Sequence, residues 1–285
     1  MSPIRVVVDS CIDLPKNLIA DLPLTVVPLQ LTWEGERLLD GVDITMDEFY
    51  KRIATSKVTP TTSQPSPEQF RQVFQKHLEE GDEVLCITVS SKLSGTYNSA
   101  IQAKNDVNSD KVTVLDSNTV TIGMGLPVLF IARHAQNCSS IPELVEYAKK
   151  LFENSFSLYV LKSLEFLRRG GRIGNISAFI AGVLKLHPIL TIKDGLVVPL
   201  DKTRTFQKAI VRGVEHAEKH VAGSKKFAVA VIHMGALETG KELLEIIKKG
   251  FGKDAVEVFL TQSGPAIGTH AGPGSVGLAT IRLSE

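Results

Sequence analysis

The sequence predicts an α/β protein of two domains, a parallel Rossmann-like α/β domain followed by a mixed-sheet α+β domain. Three observations lead to this prediction. Strand-like and helix-like segments alternate through the first half of the chain, which is typical of parallel βα units. In the second half, two strand-like runs flank Asp194-Gly195, a dipeptide that favours a tight hairpin and therefore antiparallel pairing. The 285 residues, 43% of them apolar, provide enough chain for two modest hydrophobic cores.

The first domain is predicted to span residues 1–155. Runs of β-branched and apolar residues indicate strands at 4–8, 25–32, 83–89 and 111–115. Between them, apolar residues recur at helical spacing, as Phe70, Phe74 and Leu78 do, and Ser66 is a good capping residue. This periodicity predicts helices at 46–54, 67–78, 94–107, 120–133 and 141–153.

The second domain is predicted to span residues 156–285, because the pattern changes after Ser155. Strands are indicated at 156–161, 227–233, 256–261 and 276–283, and the hairpin at 189–199. Helices are predicted at 205–221 and 241–249, and residues 168–174 are interpreted as a basic glycine turn. We expect a ligand site where the two domains meet.

Charge and hydropathy exclude several classes of protein. Lys and Arg together number 32 and Asp and Glu 31, so no strong positive field attracts nucleic acid or an anionic membrane. The longest apolar stretches, around 124–132 and 176–184, are too short to span a bilayer. The start of the chain has no signal-peptide pattern, and the three cysteines are odd in number and widely separated. We therefore expect a cytoplasmic protein with free thiols.

Hydroxyl-rich loops follow the predicted strands. In open parallel sheets, ligands bind beyond the carboxyl ends of the strands. Residues 90–98 place several hydroxyls and a glycine at the start of a helix, where free N–H groups favour an anion, and residues 61–66 have the same chemistry. Any single hydroxyl before a helix is more often a cap than a ligand contact. Several such loops together predict an anion site.

The stretch 263–274 crowds glycines and prolines around His270. A lone histidine is more often structural than functional, but a glycine-rich loop offers little bulk to bury it, and we favour a functional role. Arg168, Arg169 and Arg172 form a basic cluster that is either an exposed turn or an anion or docking surface. These two alternatives are evenly balanced.

Two nucleotide-binding patterns fail on their context. Residues 272–277 satisfy G-x-G-x-x-G, but a strand is predicted to follow them instead of a helix. Residues 235–241 resemble a P-loop, but Glu242 stands where a hydroxyl must hold magnesium. His216 and His220 are four residues apart on a helix, yet no third metal ligand is evident. We therefore expect no metal and no cofactor.

Several ordered motifs resemble the DegV family. They extend over the whole chain: Asp9-Ser10 with Asp13-Leu14, residues 62–66, residues 91–100, residues 166–173 and residues 268–274. One departure is His187-Pro188, where the family pattern has Lys-Pro. The resemblance implies a binding protein that presents the carboxylate of a long-chain fatty acid, such as palmitate or oleate, to a separate ATP-dependent fatty acid kinase. The chain would be a carrier and not an enzyme.

The resemblance also implies the site. Thr62 and Ser94 contact the carboxylate, His270 supports them, and Arg204 is a fourth member. A protonated His270 or Arg204 would supply positive charge. Arg169 and Arg172 would face the kinase. The supporting loop residues are Ser63, Gly95, Thr96, Gly268, Thr269 and Gly272.

Two rival interpretations stay open. An enzyme acting on a small carboxylated or phosphorylated substrate would use Ser94 or His270 catalytically, with Asp9 and Asp13 available for a metal. The spacing assembles no nucleophile, base and orienting group for it. A structural or regulatory protein without a small ligand leaves the loop around His270 unexplained.

Overall fold

The computed structural model describes residues 2–172 and 186–283. The strands are β1 (Ile4–Asp9), β2 (Leu24–Val27), β3 (Gln30–Trp33), β4 (Glu36–Leu39), β5 (Thr61–Ser63), β6 (Glu83–Thr88), β7 (Val112–Asp116), β8 (Ser155–Val160), β9 (His187–Lys193), β10 (Leu196–Thr203), β11 (Phe227–His233), β12 (Glu257–Gln262) and β13 (Val276–Arg282). The helices are α1 (Lys16–Ile19), α2 (Met46–Ile53), α3 (Pro67–Glu79), α4 (Thr96–Val107), α5 (Ile122–Ala135), α6 (Ile141–Glu153), α7 (Glu165–Arg169), α8 (Phe206–Val221), α9 (Leu237–Lys249) and α10 (Pro265–Ala271). Short 3₁₀ turns occupy Ser10–Ile12 and Phe251–Asp254.

The first sheet is parallel throughout and has the strand order β2-β1-β6-β7. Its central strands are buried on both faces, as in a sheet covered by helices on either side. On one face Phe70 and Phe74 of α3 pack with Ala100 and Ala103 of α4 against β1 and β6. This arrangement confirms the predicted parallel α/β architecture.

The single strand predicted at 25–32 is wrong. The chain forms two strands here: β2 joins the parallel sheet, and β3 pairs with β4 and β5 in a separate antiparallel sheet. Pro28 lies between them, and a proline cannot donate a ladder hydrogen bond. β5 was missed because its three residues were interpreted as a loop. Its pairing of Thr62 with Leu31 fixes the position of a predicted ligand contact.

The third sheet is mixed and has the order β10-β9-β8-β13-β11-β12. Only the β11–β12 pair is parallel among these five pairings. Asp194 and Gly195 both have positive φ, 50° and 76°, and connect β9 to β10 as the predicted hairpin. The mixed sheet of the second half is therefore confirmed.

Helix α5 lies between the parallel and the mixed sheet. It contacts β1 of the first and β8, β11 and β13 of the second, and most of its side chains are buried. At Gly125 an added Cβ would lie 1.9 Å from the Ile12 carbonyl oxygen, so only glycine permits this close approach. The mixed sheet begins at Ser155, although α5 serves both sheets; the domain boundary stays a prediction.

Other segments differ from the predictions. Arg168 and Arg169 lie in the last turn of α7 instead of in an irregular turn, and α9 begins at Leu237, four residues earlier than predicted. The apolar stretch 176–184 and the end of the basic turn, residues 173–174, lie outside the described residues. Within the described part of the chain, no helix combines the length and apolar character needed to cross a bilayer.

Candidate functional site

His270 lies in the last turn of helix α10, not in a glycine loop as predicted. Pro265 occupies the first turn, where its fixed φ suits a helix and its missing N–H costs nothing. Gly272, with φ 73°, ends the helix directly after the histidine. The glycines and prolines that suggested a loop are therefore the boundaries of a short helix.

Helix α10 brings His270 to strand β5. The Nε2 atom of His270 and the Oγ1 atom of Thr62 are 2.7 Å apart, across 208 residues of sequence. The Nδ1 atom is buried and has no hydrogen-bond partner among the described residues. It faces Gly170, where an added Cβ would lie 2.1 Å from it. The structure thus assembles the predicted Thr62 and His270 pair.

His270 is neutral at pH 7. Burial and, to a smaller extent, the nearby Arg172 together lower its pKa to about 4. Of the two expected sources of positive charge, His270 and Arg204, the lowered pKa therefore disfavours a protonated His270. A neutral imidazole acts instead through the proton on one of its nitrogens.

The buried Nδ1 atom indicates which nitrogen carries that proton. A buried N–H without a partner is rarer in proteins than an acceptor without one. A proton on Nε2 avoids this arrangement and donates to Thr62 Oγ1. The Thr62 hydroxyl then keeps its own hydrogen for a ligand. His270 orients this donor without contributing charge.

Ser94 lies two residues before helix α4 and lines the cavity. Its Oγ atom accepts the Thr96 N–H at 3.3 Å, at the start of α4, and lies 2.8 Å from Thr96 Oγ1. The N-cap residue of α4 is Gly95, so Ser94 bonds to the first residue of the helix without being its cap. Because a hydroxyl can accept and donate together, Ser94 can still donate into the cavity that it lines.

A cavity of about 110 Å³ connects these groups. It is several times larger than the space that a single water needs, about 10–15 Å³. Polar residues line one part of the cavity: Thr62, Ser63, Gln64, Ser94, Arg172 and His270. The rest of the wall is mostly apolar and includes Leu29, Val89, Val120, Tyr159, Leu161, Leu167, Leu190, Ile192, Val197, Met234 and Ile267.

Sequence reasoning missed most of this wall. Leu190, Ile192 and Val197 come from the β9–β10 hairpin, whose pattern predicted the turn but not the face that covers the cavity. Gln64 was predicted only as one residue of the 62–66 motif. Its side-chain amide lies against Gly95, where an added Cβ would be 2.8 Å from the amide nitrogen. Apolar wall residues carry no motif of their own, so the sequence offers no signal that distinguishes them from core.

The remaining predicted residues divide into two groups. Ser63 and Arg172 line the cavity, and Arg172 donates to the carbonyl oxygens of Leu93 and Gly170. Arg169 is exposed and bonds to Thr59 and Glu165. Arg204 is exposed and does not line the cavity, so it gains no support as a ligand contact. Supporting residues outside the lining are Gly95, Thr96, Gly268, Thr269 and Gly272.

These supporting residues hold the frame of the site. Gly268 lies where a Cβ would meet Phe49 and the Tyr50 hydroxyl of α2, and Gly272 lies against Phe166 of α7. Thr269 donates to the Pro265 carbonyl within α10. Their role is to let α10 pack closely between its neighbours, which sets where His270 lies.

Three buried carboxyl groups lie near the cavity. Burial raises the pKa of Asp9 to about 6, of Asp13 to about 8 and of Asp40 to about 6. Asp9 accepts the N–H groups of Cys11 and Val89. Among the described residues, neither Asp9 nor Asp13 belongs to a group of three close metal-ligating side chains. A metal held by these two residues is not supported.

Comparisons with known proteins agree over almost the whole chain. A family model described as "Uncharacterised protein, DegV family" matches residues 3–283. A DegV domain-containing protein of Caldanaerobacter subterraneus subsp. tengcongensis is 36% identical over 278 residues, which cover 98% of each protein.

Solved structures match equally well. A Thermus thermophilus structure described as fatty acid binding of a DegV family protein is 33% identical with a TM-score of 0.92, covering 99% of this chain and 100% of that one. DegV from Bacillus subtilis, described as a fatty acid binding protein, is 28% identical with a TM-score of 0.90 and the same coverage. A stearic acid-binding protein from Eubacterium ventriosum is 29% identical with a TM-score of 0.89, covering 99% and 98%.

Proposed function

The chain belongs to the DegV family, and from this premise we propose that it binds a long-chain fatty acid in the cavity beneath α10. One observation carries the proposal: a largely apolar cavity has a hydroxyl-rich part in which no carboxylate side chain is among the lining residues described. Solved relatives described as fatty acid or stearic acid binding proteins support the same ligand class.

The apolar wall accounts for most of the affinity. Burying an acyl chain gives about 0.8 kcal/mol per methylene, or on the order of 10 kcal/mol for a palmitoyl chain. Association and ordering costs remove part of this gain. The remainder is sufficient for tight binding without strong head-group contacts.

The head group needs donors because an ionised carboxylate loses its water when it is buried. We place it between Thr62 and Ser94, with His270 holding the Thr62 hydroxyl in its donating orientation. Arg172, exposed but part of the lining, supplies the positive charge that a neutral His270 does not. This assignment replaces Arg204 by Arg172.

We further propose that the bound carboxylate is presented to a separate ATP-dependent fatty acid kinase. Phosphoryl transfer requires a phosphate cradle and carboxylates that hold magnesium, and the sequence offers no P-loop that fits. Ser63 and Gln64 line the polar part of the cavity and are exposed, so a partner can reach this part of the cavity. Exposed Arg169 and Arg172 flank it and form the proposed docking surface. Such a carrier would work in the cytoplasm.

The stand-alone enzyme has no observation in its favour. His270 bonds to Thr62 and not to Ser94, while Ser94 bonds to Thr96. A nucleophile and its base must lie within hydrogen-bond reach of each other. Ser94 and His270 do not form such a pair among the hydrogen bonds of the described residues.

Ligand identity can be tested on the purified protein. Organic extraction followed by mass spectrometry is expected to release fatty acid, and delipidated protein is expected to take up palmitate. If the protein neither releases fatty acid nor takes up palmitate, fatty acid binding is refuted. Acyl-phosphate is expected only after a fatty acid kinase and ATP are added, and its formation by this chain alone would support the enzyme instead.

The head-group assignment can be tested with a matched pair of variants. Thr62→Val removes the proposed donor and is expected to weaken palmitate binding about tenfold, because hydrogen bonds to charged groups are worth roughly 1.5–3 kcal/mol. Thr25→Val breaks a similar threonine–histidine bond, 2.9 Å to His77, outside the cavity. It is expected to leave binding unchanged. Equal effects of the two variants would place the carboxylate elsewhere.

A further inference from the structure

Helix α10 is held at its N-terminus by two buried carboxyl groups. Asp13 accepts the Gly264 N–H at 2.6 Å, and Asp40 lies beside the same turn, where the Ala266 N–H counteracts the rise in its pKa. An added Cβ at Gly264 would lie 3.2 Å from Asp40 Oδ1 and 3.3 Å from Asp13 Oδ1. Both carboxyls therefore crowd the same point of the backbone. We name Asp13 and Asp40 the α10 clasp.

Asp13 also joins the other segments that build the cavity. Its Oδ2 atom accepts the hydroxyls of Thr121, directly before α5, and of Ser263, directly before α10. Its backbone carbonyl accepts the Thr261 hydroxyl at the end of β12. Thr121 itself lines the cavity. One side chain thus connects the first loop, α5 and α10.

Asp40 makes a similar connection on the other side. It accepts the Ser10 hydroxyl at 2.6 Å, and its own N–H donates to the carbonyl of Leu29, which lines the cavity. Neither Asp13 nor Asp40 is a lining residue. Asp13 and Asp40 instead bond to backbone and hydroxyl groups of the segments that contain lining residues.

We propose that Asp13 and Asp40 are positioning residues that fix α10 where His270 meets Thr62, so that recognition of the carboxylate depends on two carboxyls that do not touch it. The proposal rests on the proposed function and adds to it. His270 follows Ala266 by four residues, about one helical turn or 6 Å along the axis. A short helix moves nearly as a rigid body, so a shift at Gly264 reaches His270 almost undiminished.

The burial of Asp13 indicates that this residue acts through the position of its side chain and not through a negative charge. It raises the pKa of Asp13 to about 8, so that Asp13 holds its proton at pH 7. A protonated carboxyl accepts the Gly264 N–H on Oδ1, and its protonated Oδ2 atom donates to one of the Thr121 and Ser263 hydroxyls while it accepts from the other. An asparagine offers the same acceptor and an NH₂ donor in nearly the same place.

Two variants separate position from charge because they predict opposite results. Asp13→Asn keeps the position and removes the ionisable group. Asp13→Glu keeps the ionisable group and pushes it forward by one methylene, about 1.5 Å, against Gly264. Binding is measured with palmitate and with hexadecanol, which has the same chain without a carboxylate. The ratio of the two dissociation constants reports head-group recognition alone.

Wild type is expected to prefer palmitate by about tenfold or more. Asp13→Asn should keep this preference within about twofold, and Asp13→Glu should reduce it at least about fivefold by displacing His270 from Thr62. Asp9→Glu is the matched control, since Asp9 is equally buried but accepts N–H groups of Cys11 and Val89 in the wall and not of α10, so that a displacement there affects both ligands alike. It should keep the preference. If Asp13→Glu does not fold, Asp40→Glu applies the same displacement from the other side.

The outcomes are distinguishable. Loss of preference in the Asp13→Glu protein with retention in the Asp13→Asn and Asp9→Glu proteins supports the proposal. Retention in the Asp13→Glu protein, loss in the Asp13→Asn protein, or equal loss in the Asp9→Glu protein overturns it. If wild type binds no palmitate, or binds it no better than hexadecanol, the proposed function itself fails before any variant is measured.

Discussion

Each end of helix α10 lies next to a group of hydrogen-bond donors. The two groups differ in whether the chain itself supplies the carboxyl groups that accept from these donors. At its N-terminus, N–H and hydroxyl groups converge on Asp13 and Asp40, which are the chain's own carboxyls. At its C-terminus, His270 holds the Thr62 hydroxyl, and the lining residues that the structure describes there include no carboxylate. The first region is internally satisfied, and the second has donors available for an external carboxylate.

Under the proposed function, this difference explains how a protein of nearly neutral charge can select an anion. The clasp shows that this interior accepts carboxyl oxygens where N–H and O–H donors surround them, although burial raises their pKa. The cavity offers comparable donors together with Arg172, whose charge stabilises an ionised head group. In the proposed complex, the ligand's carboxylate takes the place that an aspartate takes at the other end.

The largest expected effect comes from adding a carboxylate to the cavity, so that it resembles the region at the N-terminus of α10. Ser94→Asp places a carboxylate among the donors of the cavity, where it satisfies them and repels the ligand's head group. Like charges brought together at a desolvated site cost several kcal/mol, so palmitate binding should weaken by about 100-fold or more. Ser94→Asn has the same shape without the charge and should cost about tenfold at most. Titration with a fluorescent fatty acid measures both, and equal losses would contradict the comparison.

A second prediction concerns the pH dependence of the clasp. The pKa of Asp13 is about 8 in the folded protein and near 3.8 when exposed, so the folded state holds a proton that the unfolded state releases. Stability is then fully present below the unfolded pKa and is lost as pH rises through the folded pKa. Between pH 6 and 7.5 the Asp13 contribution falls by about 2 kcal/mol.

Asp13→Asn removes this titration, so its free energy of unfolding should fall less steeply than that of wild type over the same range. Urea denaturation at several pH values gives both slopes. The opposite contributions of His220 and His270, whose pKa values are lowered to about 4, cancel in the difference. Parallel slopes would mean that Asp13 is ionised in the folded protein at pH 6.

A third prediction tests the C-terminal end of α10 through its packing. Gly170→Ala places a methyl group 2.1 Å from the present position of His270 Nδ1, and the imidazole must move away from Thr62. Palmitate binding should weaken about tenfold, as for loss of one hydrogen bond to a charged group. Gly171→Ala meets no atom within 4 Å and serves as a control for space, although its φ of 70° adds backbone strain. Unchanged binding in the Gly170→Ala protein would mean that His270 does not orient the donor.

Much of this architecture could be predicted from sequence because it follows local rules. Periodicity located most helices and strands, and Asp194-Gly195 gave the hairpin. Ser66 forms a capping box with Gln69 at the start of α3, as its residue type indicated. The errors occurred where tertiary contacts decide. Pro28 alone did not show that β2 and β3 join different sheets, and the short helix α10 resembled a loop because glycine and proline mark both of its ends.

The site divides in the same way. Hydroxyls at strand ends and helix starts could be found from spacing, and Thr62, Ser94 and His270 all line one cavity. The clasp could not be assigned, because Asp13 and Gly264 are 251 residues apart and a buried aspartate has the same sequence appearance as an exposed one. The neutral state of His270 depends on burial and on Arg172, neither of which is visible in the local sequence.

The smallest expected effect compares Arg204, which the family resemblance implied as a ligand contact, with Arg172, which the geometry supports. Arg204 is exposed and outside the cavity lining, so Arg204→Ala should change palmitate affinity by less than about twofold. Arg172 lines the cavity but is exposed to solvent, so Arg172→Ala should weaken binding about threefold, and less at high salt because solvent ions screen the charge. Isothermal titration at two salt concentrations compares the variants. A greater loss in the Arg204→Ala protein than in the Arg172→Ala protein would move the carboxylate away from the Thr62 and His270 pair, because a cation that acts on a bound anion must lie close to it.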